Sequence, residues 1–163
     1  MNPHPEGCRG CPADHLGLGF VPPTTPPGTL DLIIVGQGPG EQEAQFSQPF
    51  YPSAPSGGML RDWIRQVEAK LGRTLRVAFG NVTQCWVPKQ RMGGELGKGS
   101  RDPLPEEVAH CWQYHVGPWL HSLPPEVPVV AVGAASARRL LGLGDEAVGH
   151  LMGQTFLKEL PPI

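Results

Sequence analysis

Three short apolar runs stand out along an otherwise glycine- and proline-rich chain: Leu30 to Val35, interrupted only by Asp31, then Leu75 to Val82, then Val127 to Val132. The first is continuous rather than alternating, and the second is apolar apart from Arg76 and Asn81. That pattern predicts strands buried on both faces, as in a parallel sheet. Between the first two runs the spacing turns helical. Leu60, Trp63, Ile64, Val67 and Leu71 fall on one face of a helix predicted from Met59 to Leu71, and Gly72 stops it. Pro105-Glu106-Glu107 opens a second helix, with proline and acids in its first turn, that runs to about His121. Ala134 to Leu141 is a short third helix after a turn at Gly133. Alternating strands and helices predict an α/β fold: a three-layer sandwich around a central, mostly parallel sheet.

The remaining stretches read as connections. Pro22, Pro23, Pro26 and Pro27 make residues 1–28 an irregular arm on a single domain spanning 1–163. Pro52 to Gly58 and Val87 to Pro105 read as loops, the second long and exposed. In a parallel sheet, ligands bind beyond the carboxyl ends of the strands. The Gly36–Gly40 turn, the segment after Val82 and the Gly133 turn all fall at that edge.

Composition narrows the picture. The chain is 39% hydrophobic and 17% charged with a net charge of -2, so bulk charge gives no argument for nucleic acid or membrane binding. Any basic surface is local. The 22 glycines and 20 prolines fit a fold with many turns. No apolar stretch is long enough to span a membrane, and the first residues lack the apolar core of a signal peptide. A cytoplasmic location is the expectation, and there cysteines serve as ligands or thiols more often than as disulfides.

The four cysteines carry the first chemical signal. Cys8-x-x-Cys11 can chelate one metal, and Cys85 and Cys111 can complete a set of four. Spacing leaves zinc, an iron–sulfur cluster and bystander thiols open. The scatter of the second pair favours the cluster over two zinc knuckles. The glycine turn Gly36-Gln37-Gly38-Pro39-Gly40 lets a ligand approach the backbone, or is simply a tight turn. It lacks the spacing and the lysine of a phosphate loop.

Five blocks in order resemble one family, the iron–sulfur (family 4) uracil-DNA glycosylases. GQGPGEQEAQFSQPF is similar to that family's first motif, a GE-x-PG-x-x-E-D turn followed by G-x-PF. GNVTQCWVP resembles its TNVVKCRPP segment, RDPLPEEVAHC its RDPTPEE…C segment, and VPVVAVGAASARRLLG its third strand and following helix. GCRGCPADHLGLGFVP resembles its C-x-x-C-x-L arm. The resemblance implies a uracil-DNA glycosylase-like fold and hydrolysis of the N-glycosidic bond of uracil, or a related base, flipped out of DNA for base excision repair. It implies a 4Fe–4S cluster on Cys8, Cys11, Cys85 and Cys111. Phe50 matches the aromatic that stacks on the base, Asn81 the amide that reads its edge, and Gly38 pocket backbone. Gln37, Glu43 and Asn81 match positions placed in catalysis. Lys89, Arg91, Lys98 and Arg101, in or beside an apparent insertion, form a local basic patch expected to touch DNA phosphates, with Arg138 and Arg139 adding to it.

Two departures bear on catalysis. Gln37 stands where the family usually has glutamate, and an amide can orient water but not take its proton. The chain reads Leu160-Pro161-Pro162-Ile163 where the family's terminal histidine motif and DNA wedge would begin, and no histidine follows His150. A protein partner or a dimer is expected to cover the core left open there. The alternative function is a catalytically impaired glycosylase-like module that binds DNA or protein. His110, His115 and His121 read as surface residues of the helix after Pro105.

Overall fold

The computed structural model describes residues 1–90, 96–144, 148–156 and 159–163. A 3-10 turn, Glu6–Cys8, leads to β1 (Leu18–Phe20), β2 (Leu32–Gly36), α1 (Glu41–Phe46), α2 (Pro55–Leu71), β3 (Val77–Asn81), β4 (Cys85–Trp86), β5 (Pro88–Gln90) and β6 (Leu96–Ser100). Then α3 (Pro105–Cys111) continues through a π-helical stretch, Trp112–Val116, into α4 (Gly117–His121). Pro118 has no N–H to offer the carbonyl four residues earlier, which suits the widened turn before it. β7 (Val129–Ala131), α5 (Ala134–Leu141) and a 3-10 turn at Gly149–Leu151 follow.

The central sheet has the order β3-β2-β7 and is parallel throughout. Alternate side chains of β2 face opposite layers. Ile33 and Val35 pack with Ala78 against Val108, Trp112, Val116 and Leu120 of the α3–α4 segment, with Leu140 of α5 in the same cluster. Ile34 packs with Val77, Phe79 and Phe50 against Leu60 of α2. Helices on both faces make three layers, and β2 and β3 are doubly buried as expected, whereas β7 is not buried on both faces. Two antiparallel pairs, β1–β4 and β5–β6, lie outside this sheet.

Several sequence expectations need correction. The predicted core face of α2 is split: Leu60 is buried and Ile64 half-buried, but Trp63, Val67 and Leu71 are exposed. With Met59 they form a stripe at every fourth position, which the same helical period generates. Pro52 to Gly58 is not all loop, because Pro55 starts the helix. The long loop from Val87 to Pro105 contains the β5–β6 pair. Helix α1 went unforeseen because six residues carry too few apolar positions to show a period.

Near the carboxyl end of the chain, Leu160 packs against the main core. Trp112 Nε1 donates to the Pro162 carbonyl at 2.9 Å, and His121 Nε2 bonds the Pro161 carbonyl at 3.0 Å. Val130 of β7 is 41% exposed, far more than the β2 residues beside it.

Candidate functional site

The register of β2 with β3 sets Gly36 beside Asn81 at the carboxyl edge of the sheet. The chain beyond is tied across. Val82 N donates to the Gly36 carbonyl at 2.8 Å, and both Thr83 N and Thr83 Oγ1 donate to the Gln37 carbonyl at 3.1 Å. The Gly36–Gly40 turn, the segment after Val82 and Gly133 therefore meet at one edge.

Glu43, in the first turn of α1, is only 5% exposed. A carboxylate that deep must be met by donors. It accepts from Gly40 N at 2.8 Å, Phe50 N at 2.7 Å and Asn81 Nδ2 at 3.5 Å. Glu43 thus braces the turn, the aromatic and the amide, where the sequence had placed it in catalysis. Phe50 holds a left-handed backbone (φ 49°), unusual for a residue with a side chain. Its N–H is bound by Glu43, and its carbonyl accepts from Arg61 Nε at 3.0 Å. Gly57 of α2 is seated directly on this segment: a Cβ there would lie 2.1 Å from the Tyr51 carbonyl. A Cβ on Gly36 would meet Asn81 Oδ1 at 2.3 Å and Phe50 Cζ at 2.8 Å, so these two side chains converge over bare backbone.

Beside this buried group lies an open cleft of about 200 Å³, lined by Gln37, Gly38, Thr83, Ser100 and Asp102 among others. Phe50 and Asn81 do not line it. The Gln37 side chain crosses Gly133, where a Cβ would fall 2.4 Å from Gln37 Cγ. Its Oε1 accepts from Ala135 N, in the first turn of α5, at 2.9 Å. Its Nε2 donates to Asp102 Oδ1 at 3.4 Å. Sequence reasoning missed Asp102. The only signal was its place in the RDP block.

The basic patch divides. Lys89 is exposed on β5, whereas Arg91 and the side chain of Lys98 lie outside the described residues. Arg101 is not a free cation. Its guanidinium forks onto the buried Glu107 carboxylate, with Nη1 donating to Oε2 at 2.8 Å and Nη2 to Oε1. That hydrogen bonding holds Arg101 above its ordinary pKa. Arg139 stacks on the Trp112 ring, 4.3 Å from its centroid.

All four cysteines are buried and free. Cys11 and Cys85 pack together with Ala13 and Val87. A Cβ on Gly17 would fall 2.6 Å from Cys85 Sγ, so the arm turns closely over that sulfur. Burial, then the charges of Cys11 and Asp14, pushes the Cys8 thiol to about 11. Burial pushes Cys85 and Cys111 to about 12, and each also feels the charge of other cysteines in the set. Among the described residues, no group of three or more Cys, His, Asp or Glu side chains is gathered to hold a single metal ion. Two histidines are not surface residues as expected. His115 Nε2 lies 3.4 Å from Cys8 Sγ, and burial holds its pKa below the usual value. His110 Nε2 bonds the Gly7 carbonyl at 2.9 Å.

No helix among the described residues is long and apolar enough to cross a membrane. A family model described as the uracil DNA glycosylase superfamily matches residues 22–161. The chain is 28% identical over 138 residues to a type-4 uracil-DNA glycosylase of Archaeoglobus fulgidus, covering 85% of this chain and 60% of the relative. It is 31% identical over 131 residues to that of Thermotoga maritima, covering 79% and 58%. With that of Pyrobaculum aerophilum the identity is 27% over 154 residues, covering 93% and 69%. The chain thus spans about three fifths of the length of the first two of these curated relatives. The match over residues 22–161, on a three-layer fold with converging turns at its sheet edge, places this chain in the uracil DNA glycosylase superfamily.

Proposed function

We propose that this chain is a single glycosylase domain over 1–163, hydrolysing the N-glycosidic bond of uracil or a related base extruded from DNA in base excision repair. The observation that carries the reading is the group at the β2–β3 edge: Phe50 and Asn81 converging on Gly36, both held by Glu43. In this reading Phe50 stacks on the base, and Asn81 offers the base's edge an acceptor and the donor not engaged by Glu43. Glu43 is a positioning residue, and the Gly38 backbone lines the approach. Asn81 is 3% exposed and Phe50 5%, so the base enters by displacing the Phe50 segment, whose left-handed backbone stores strain. Lys89 belongs to the DNA-contacting surface; Arg91 and Lys98 stay in it as proposals, and Arg101 leaves it because Glu107 neutralises it.

The donor set fits a 4Fe–4S cluster on Cys8, Cys11, Cys85 and Cys111. Four buried thiols from the arm, β4 and α3, three of them raised in part by the charge of others in the set, supply the soft donors that such a cluster takes. Bound there, the cluster supplies cross-links between arm, strand end and helix, with no part in breaking the bond. Gln37 favours the second reading, a module that binds without cleaving, because both ends of its amide are engaged and neither takes a proton. A cytoplasmic location accords with both.

The test is single-turnover excision on a uracil-containing oligonucleotide, single- and double-stranded, beside a mobility shift with the same DNA. Abasic product is the expected result. DNA that shifts without forming abasic sites would establish the binding module.

A further inference from the structure

With Gln37 in place of an acid, a different carboxylate faces the same cleft. Asp102 is the one carboxylate among the cleft's lining residues. It follows β6, and its surroundings hold it in place. Ser100 Oγ donates to the Pro39 carbonyl at 3.3 Å, joining the end of β6 to the glycine turn. Arg101 N donates to the Val87 carbonyl at 3.1 Å, and Arg101 Nη1 to the Asp102 carbonyl at 2.9 Å. The same guanidinium is clamped to buried Glu107. Pro103 restricts Asp102 to extended backbone. These bonds fix the backbone on which Asp102 stands, and its solvent-exposed carboxylate is oriented by the Gln37 amide at 3.4 Å.

Gln37 completes the arrangement. Its Oε1 is committed to the Ala135 N–H, so its amide nitrogen must point the other way, towards Asp102 Oδ1. A glutamate at 37 could accept from Ala135 but would have no proton for Asp102. With Gln37 the side chain at this position donates to Asp102 instead. Gln37 therefore acts as the orienting partner of Asp102, and one Asp102 oxygen remains for the cleft.

We propose that Asp102 is the catalytic carboxylate of this chain, a role that rests on the glycosylase reading above. The C1′–N bond breaks, and its electron pair leaves on the base. Asp102 stabilises the cationic sugar, and a water bonds through oxygen to C1′. That water's proton passes to Asp102 and from there to solvent.

Two measurements on wild type and Asp102→Asn decide it. The first is single-turnover excision of uracil. The second is the affinity ratio for a duplex bearing a cationic pyrrolidine abasic analogue over one bearing the neutral tetrahydrofuran analogue. Asp102→Asn should slow excision roughly a hundredfold to ten-thousandfold. It should abolish the preference for the cation while leaving the neutral affinity, which reports the folded surface, unchanged. Asp102→Glu should restore part of both. A variant that excises at the wild-type rate, or keeps the cation preference, overturns the proposal. If the wild type does not excise, the glycosylase reading fails and the affinity ratio alone judges Asp102. A cation preference lost in Asp102→Asn upholds the carboxylate's role, and a ratio equal in both proteins removes it.

Discussion

Ile33, Ile34 and Val35 of β2 are each 2% exposed or less, and Cys8 and Cys11 of the arm are nearly as hidden at 6% and 8%. What surrounds them differs. The β2 residues lie between two helical layers of apolar side chains. Cys11 has Ala13, Cys85 and Val87 for company, and Cys8 has the His115 ring. The arm contributes one 3-10 turn and the three residues of β1. Val21 packs on Ala44 and Trp86 and Thr24 pairs with Phe79, contacts that offset only part of the entropy of ordering about thirty residues. One region is held by packing, and in the reading proposed above the other depends on a cluster bound by its thiols.

The largest effect should come from removing one of those thiols. Cys85→Ser takes one of the four proposed ligands, the one on β4. We expect complete loss of the broad visible absorbance of the iron–sulfur centre. Limited proteolysis should then cut within residues 1–28 while leaving the sheet intact. A purified wild type that is colourless with stoichiometric zinc would sink the cluster, and an arm that resists protease in Cys85→Ser would sink its role as a staple.

On the packing side, Ile34→Ala opens a cavity between the sheet and α2. It should destabilise the protein by about 2–5 kcal/mol, measured by denaturant titration. Absorbance per folded molecule should not change, because Ile34 and the cysteines lie in separate clusters. A parallel loss of colour would show that the two regions fold as one unit, and the contrast between them would dissolve.

The same contrast explains what the sequence made legible. Strands β2 and β3 could be read because double burial favours apolar runs, and β7 carries such a run although Val130 is exposed. The face of α2 could not, because the stripe Met59, Trp63, Val67, Leu71 obeys the helical period as well as a core face does. The β5–β6 pair has few apolar residues, and Gly99 sits at φ 80°, so neither alternation nor strand propensity marked it. At the site, Phe50 and Asn81 were legible through their motif blocks. The brace on Glu43 and the Gln37–Asp102 bond, 65 residues apart in sequence, were not. Their roles depend on which atoms face each other, and no local pattern encodes that. Arg101 shows the converse. A cation in a glycine-rich stretch reads as a phosphate contact until its buried partner Glu107 is seen.

The smallest effect concerns the entry to the sheet. Asp31 Oδ2 accepts from Arg76 N at 2.8 Å, and Oδ1 from Arg73 Nη1 at 2.7 Å, joining the start of β2 to the approach to β3. The Arg76 backbone bond, then the Arg73 side chain, holds the Asp31 carboxyl below its ordinary value. With the folded pKa depressed, the stabilisation is fully present above the unfolded value of about 3.9 and disappears as pH falls through the folded one. Thermal midpoints of wild type and Asp31→Asn should therefore differ slightly near neutrality and converge in acid. Because Asp31 belongs to the packed region, this convergence should persist in Cys85→Ser, which lacks the staple. A gap that stays constant into strong acid would mean that the substituted amide alters packing rather than charge. A gap that vanishes with the cluster would mean that the staple, not strand pairing, positions the start of β2.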